Sequence, residues 1–284
     1  MPFFDTTVLP LFHRYTTAPA AITKPGMKGK HKAEAVFCEH FQVVAFCLLD
    51  DVFEYGGISA QKYIPQYLPI MLNNMQSSSN NVLRQCSVYG VAQILKLHAA
   101  ELLQGFGGHL AQLAQGLFGM IQRDDAKEES NEGVTENALF ALGLLITTPA
   151  LHAQLVAQQC PVEQLAKAWL QGMPLQLDEQ ESKYSTFALC HAVERSEGAI
   201  LGLSFSHLSD ILRVFAGVLI QAQQLALKRD KEAVVFAQPA TVQNIVKVLR
   251  TFATNSVVPS HVVQQALASL SPAQQTMLTQ ALTA

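Results

Sequence analysis

Apolar residues along this chain recur three and four positions apart and almost never alternate strictly, which predicts helices throughout. Over residues 33–55, Val36, Phe37, Val44, Leu48, Val52 and Phe53 fall on one wide face, and Gly56-Gly57 predicts its stop. A second helix is predicted over 59–75, with Tyr63, Tyr67, Leu68, Met71, Leu72 and Met75 in one stripe. Pro65 and Pro69 should confine its start to the stretch near Pro65, or kink it. Ser77-Ser78-Ser79-Asn80 reads as a loop that caps a helix over 81–100. Further helices are predicted over 105–122, 135–147, 151–158, 162–171, 179–195, 206–228, 240–254, 259–269 and 272–282. The Val-Val-Phe within 233–237 is the one strand-like run. The expected fold class is all-α.

Repetition refines that expectation. Four predicted helices carry a small residue inside an apolar stretch: Cys47, Gly90, Gly143 and Cys190, spaced 43, 53 and 47 residues apart. These spacings lie near the ~40–47 residues of a HEAT or armadillo unit, and the polar stretch 123–133 accounts for the longest one. A small residue in mid-helix lets a neighbouring helix approach closely, and each pair needs the next to cover its apolar face. An α-solenoid of about six HEAT-like helix pairs over 1–284 is predicted, with residues 18–32 a basic flexible linker and 123–133 an acidic loop. In such repeats the second helices (59–75, 105–122, 162–171 and 206–228) are expected to line the concave side.

Composition excludes several function classes. Of 284 residues, 49% are hydrophobic and 14% charged, against roughly 25% charged in an average domain, so a disordered tail is ruled out. A net charge of −3 supplies no overall field for nucleic acid or an acidic membrane. The five cysteines (Cys38, Cys47, Cys86, Cys160 and Cys190) form no Cys-x-x-Cys pair, and each sits in apolar or helical context, as reduced intracellular thiols do. The N-terminal residues lack a secretory pattern, and the apolar runs are too short to span a bilayer. A soluble, intracellular protein is expected.

Catalytic signatures are missing from the sequence. There is no phosphate-binding loop and no His-Glu-x-x-His. Gly202-Leu203-Ser204-Phe205-Ser206 resembles a nucleophile elbow but lacks its last glycine and a preceding strand, so a turn before the 206–228 helix is the reading. His191 reads as a partly buried packing residue. Asp50, Asp51 and Glu54 read as a solvated or basic-partner-facing edge rather than a cation site. Lys24, Lys28, Lys30 and Lys32 lie among Pro and Gly without the aromatics that stack bases. Asp124, Asp125, Glu128, Glu129, Glu132 and Glu136 make an acidic stretch, either a solubilising insertion or a receiver for a basic partner. Trp169, the single tryptophan, reads as packing between repeats, with a peptide anchor as the alternative. No enzymatic activity, cofactor or metal is expected, and no partner-binding residues can be named.

A family resemblance emerges from the residues in order. Leu48-Leu49-Asp50-Asp51-Val52-Phe53-Glu54-Tyr55 is followed by Tyr63 and Leu68-Pro69-Ile70-Met71-Leu72. Then come Leu83-Arg84-Gln85-Cys86-Ser87-Val88-Tyr89-Gly90, Thr135-Glu136-Asn137-Ala138 and Ala141-Leu142-Gly143. Trp169-Leu170, Met173-Pro174-Leu175, Asp178-Glu179-Gln180-Glu181 and Leu270-Ser271-Pro272-Ala273-Gln274-Gln275 complete the series. From about residue 33 to 284 the chain resembles the C-terminal region of importin-β-type karyopherins, closest to the karyopherin beta-3 class. The resemblance implies a HEAT-repeat nuclear transport receptor fragment without catalysis, the C-terminal part of a longer parent chain. It implies protein cargo, Ran-GTP and nucleoporins as partners of that parent, shuttling between cytoplasm and nucleus, and no nucleic acid or membrane partner. The mild net charge and the lysine-rich stretch depart from the family pattern. A structural HEAT scaffold of a multisubunit complex is the alternative.

Overall fold

Helix is the only regular secondary structure among the residues that a computed structural model of the chain describes: 4–16, 30–228, 239–254 and 258–283. A π turn over Phe4–Val8 leads into α1 (Leu9–Thr16), followed by α2 (Lys30–Tyr55), a 3-10 turn over Gly57–Tyr63, α3 (Ile64–Ser77) and α4 (Asn81–Leu97). Next come α5 (Ala99–Phe106), a 3-10 turn over Gly107–His109, α6 (Leu110–Ile121) and α7 (Glu132–Thr147). The order continues with α8 (Pro149–Ala157), α9 (Val162–Gly172), α10 (Glu179–Glu194), α11 (Gly198–Leu201), a 3-10 turn over Leu203–Phe205 and α12 (Leu208–Lys228). It ends with α13 (Pro239–Ala253), α14 (Ser260–Ala268) and α15 (Pro272–Thr283). The chain is all-α, its helices packed against one another. The strand-like run at 233–237 and residues 18–29 of the basic stretch lie outside the described residues, while Lys30 and Lys32 open α2.

The chain divides into two compact units, Met1–Ala141 and Leu142–Ala284, with the division inside α7. In the first unit α2 packs on α4 and α3 on α4. In the second, α10 packs on α13, and α12 packs on α9, α14 and α15. Each pattern is the one repeated pairs require: a helix covers both its own partner and the equivalent helix one repeat away.

Local chemistry sets the helix ends. The Asn80 side chain accepts from the Leu83 N–H at 3.1 Å and starts α4; Asp178 does the same for α10 through the Glu181 N–H at 2.9 Å. Ser271 and Gln274 form a reciprocal capping box at α15, the Gln274 carboxamide oxygen accepting from the Ser271 N–H at 3.0 Å. Pro65 and Pro149 stand in the first turns of α3 and α8, where a missing N–H costs nothing.

The helix expected over 105–122 is replaced by α5, a 3-10 turn over Gly107–His109 and α6, and two further expectations need correction. The helix predicted over 81–100 breaks at His98, whose ring Nε2–H donates to the Phe53 carbonyl at 2.9 Å. That carbonyl is one of those left without a helical partner at the end of α2, and satisfying it takes precedence over continuing α4. The same device recurs: His152 Nδ1–H donates to Ile146 at 2.9 Å and Arg213 to Met173 at 3.0 Å, both near helix C-termini. Second, Val44 and Leu48 are exposed; α2 buries Ala45, Phe46 and Leu49 in their place, along with Phe53, which the predicted face did include. A mean apolar face drawn over 23 positions averaged two sides of a helix that is covered along a narrower line.

No single helix among the described residues is long and apolar enough to cross a membrane, and the apolar pair α7 and α8 is bent by 83°.

Candidate functional site

Mid-helix small residues decide how this protein packs. At Gly90 on α4, a methyl group would stand 2.3 Å from Asp50 Oδ1 of α2 and 2.6 Å from Met71 Cε of α3, so three helices meet where the side chain is missing. In the second unit a methyl at Gly143 would stand 2.6 Å from Trp169 Nε1 and 2.8 Å from Cε2, so the indole of α9 lies flush on α7. Cys190 is buried, whereas Cys47 is exposed with its sulfur 3.2 Å from that of Cys86.

Asp50 overturns its sequence reading as a solvated or basic-partner-facing edge. It is 4% exposed, and its Oδ1 has no hydrogen-bond partner. Burial first, then the neighbouring Asp51 and Glu54 charges, push its carboxyl well above the usual carboxylate range. Asp51 is exposed, and Glu54 accepts from the Tyr89 hydroxyl at 2.9 Å. The three carboxylates therefore face three environments, and among the described residues no group of three or more His, Cys, Asp or Glu is gathered as a metal site would be. Spacing placed Asp50 and Glu54 on one side; it did not reveal that the absent Gly90 side chain opens a slot for Asp50.

Trp169 is fully buried, which makes it a packing residue and excludes the anchor reading for this conformation. His191 is half-buried, edge-on to Phe187 at 4.3 Å and 3.5 Å from Glu194. At the elbow-like segment, Gly202, Ser204 and Phe205 adopt positive φ in a turn ahead of α12, and the preceding element is the short helix α11 rather than a strand.

The acidic stretch is more built than its sequence suggests. Buried Arg84 donates to Asn131 Oδ1 at 2.7 Å, Asn131 donates to the Asp125 carbonyl at 3.0 Å, and Thr135 donates to the Ala126 carbonyl at 2.7 Å. Asn81 reaches the Ser130 carbonyl at 3.0 Å. Arg123 pairs with Asp125, so the carboxylates left facing water are Asp124, Glu128, Glu129 and Glu132. The only advance signal was Asn81 and Arg84 standing at the start of α4.

Among the described residues are two open surfaces. In the first unit a groove of about 320 Å³ runs between α3 and the α5–α6 corner, with Leu72, Met75, Phe106 and Leu113 as its apolar floor and Asn73, Gln76 and Gln112 at its edges. In the second, α13 presents Val242, Val246, Lys247 and Arg250 over about 570 Å³, with Lys247 paired to Glu194 at 2.7 Å. The first, an apolar floor with a carboxamide rim, is suited to holding an extended peptide through side-chain contacts and backbone hydrogen bonds. Scanned against models of known protein families, the chain matches none.

Proposed function

We propose that this chain is a non-catalytic, protein-binding helical-repeat module of the importin-β transport-receptor type. The observation that carries the reading is the peptide-scale groove of about 320 Å³ between α3 and the α5–α6 corner, set on helices that stack repeat on repeat. The karyopherin-like order of motifs from about residue 33 onward supplies the class of partner: folded cargo bearing a recognition segment, released when GTP-bound Ran engages the receptor. Small adjustments at each helix pair let such a stack adapt to cargo without local unfolding.

Affinity capture from cell extract, with and without excess GTP-bound Ran, tests it. Partners displaced by Ran support the transport reading. A stable partner set indifferent to Ran overturns it in favour of a structural scaffold. Gly116→Phe locates the contact, since a side chain there meets nothing nearer than Gln76 at 3.6 Å and points at the groove. That variant is expected to weaken capture at least tenfold with unchanged thermal stability.

A further inference from the structure

The two thiols between α2 and α4 stand apart from Cys160 and Cys190. Cys47 and Cys86 bring their sulfurs to 3.2 Å across a helix–helix contact, 39 residues apart in sequence. A disulfide is ~2.05 Å long, so about 1 Å of approach separates this contact from a bond. The two environments are unequal. Cys47 is exposed to water, while Cys86 is buried. Burial, then the Cys47 sulfur and the Asp50 carboxyl, push the Cys86 thiol up. Cys160 and Cys190 are buried without a neighbouring sulfur and serve as internal controls.

We propose that Cys47 and Cys86 form a reversible intramolecular disulfide, a modification site at which hydroperoxides couple α2 to α4. The inequality fixes the order of events. Cys47, as its thiolate, attacks the outer oxygen of the hydroperoxide; the O–O bond breaks, the alkoxide or hydroxide leaves and takes a proton, and Cys47 becomes a sulfenic acid. Cys86 then attacks the Cys47 sulfur. The S–S bond forms, the S–O bond breaks, and hydroxide leaves with the proton from Cys86 as water. The two thiols have lost two electrons and the hydroperoxide has gained them. A dithiol reductant reverses the change. The bond fixes α2 against α4 beside the junction of Asp50, Gly90 and Met71, so oxidation stiffens the first unit where its helices are closest. This inference does not depend on the transport reading.

The test uses the full chain and hydrogen peroxide. After oxidation, unfolding and alkylation, peptide mass mapping under non-reducing conditions is expected to show one Cys47–Cys86 link per chain, lost on reduction, with Cys160 and Cys190 alkylated. The oxidised chain should melt roughly 5–10 °C higher than the reduced one, as closing a loop of this length predicts. Cys47→Ser, an exposed position where folding is undisturbed, should leave Cys86 alkylatable and abolish the shift. Cys86→Ala should leave Cys47 as a sulfenic acid that a dimedone probe traps. Over-oxidation of Cys47 with Cys86 untouched, dimers linked through Cys47, or two unmodified thiols would each overturn the proposal.

Discussion

Gly90 in the first unit and Gly143 in the second are both small residues in mid-helix, and they meet opposite surfaces. Gly90 faces a buried carboxyl and a thioether, both able to shift; Gly143 faces a rigid indole packed at 0% exposure. One sequence device, a missing side chain in mid-helix, thus serves a junction that is polar and adjustable and another that is apolar and fixed. The chemistry of the partner, more than the glycine, decides what each junction contributes.

The largest effect is expected where the fixed junction is emptied. Trp169→Ala removes the biggest fully buried side chain and should cost about 3–5 kcal/mol, read as a lowered urea midpoint. If the loss is under about 1 kcal/mol, the contrast between the junctions disappears.

Filling the slots comes next. Gly143→Ala drives a methyl into the indole ring, which has nowhere to go, and should cost about 2–3 kcal/mol. Gly90→Ala presses on Met71 Cε and Asp50 Oδ1; Met71 can re-rotamer, and alanine gains about 1 kcal/mol of helix propensity over glycine, so a net loss of about 1–2 kcal/mol is expected. Equal losses at the two sites would show that partner stiffness does not matter.

These junctions also mark what could be read in advance. The positions of Gly90 and Gly143 and the helical class were visible in periodicity and spacing, because both are local properties of the chain. Most of the stripe over 59–75 was visible for the same reason: Tyr63 in the 3-10 turn and Tyr67, Leu68, Met71 and Met75 on α3 are buried, while Leu72 is only partly covered. What Asp50 does was hidden, since its burial is made by a glycine 40 residues away. So was the break at His98, which answers to the Phe53 carbonyl of another helix. The groove beside α3 combines residues that become neighbours only on packing, so no spacing announced it. The exposed Val44 and Leu48 show the complementary failure: an apolar stripe identifies a helix more surely than it identifies its covered side.

The adjustable junction can be probed through its proton. The folded-state pKa of Asp50 is raised, so below the ordinary value of 3.8 both folded and unfolded chains hold the proton and the residue adds no pH dependence. As pH rises past that value the unfolded chain releases its proton while the folded chain retains it, and stability falls by at most about 1.4 kcal/mol per pH unit until the folded group ionises. Asp50→Asn should match the parent at the acid end and become progressively more stable than it as pH rises. Urea midpoints across this range check it, and parallel curves would mean that the buried carboxyl is already paired.

The smallest contrast lies at the helix caps. Asn80 and Asp178 perform the same hydrogen bond at α4 and α10, so replacing either with Ala should cost about 1 kcal/mol. Their charges differ, and so do their surroundings: α10 already carries Glu179 and Glu181 in its first turn, whereas α4 has no acidic residue there. A negative cap interacts with the positive end of a helix dipole for about 0.3–1 kcal/mol, less where neighbouring carboxylates repel it. Asn80→Asp should therefore gain more than Asp178→Asn loses, and both differences should shrink in high salt. If the two changes are equal and opposite at low salt, the first-turn carboxylates of α10 do not weaken the cap beside them.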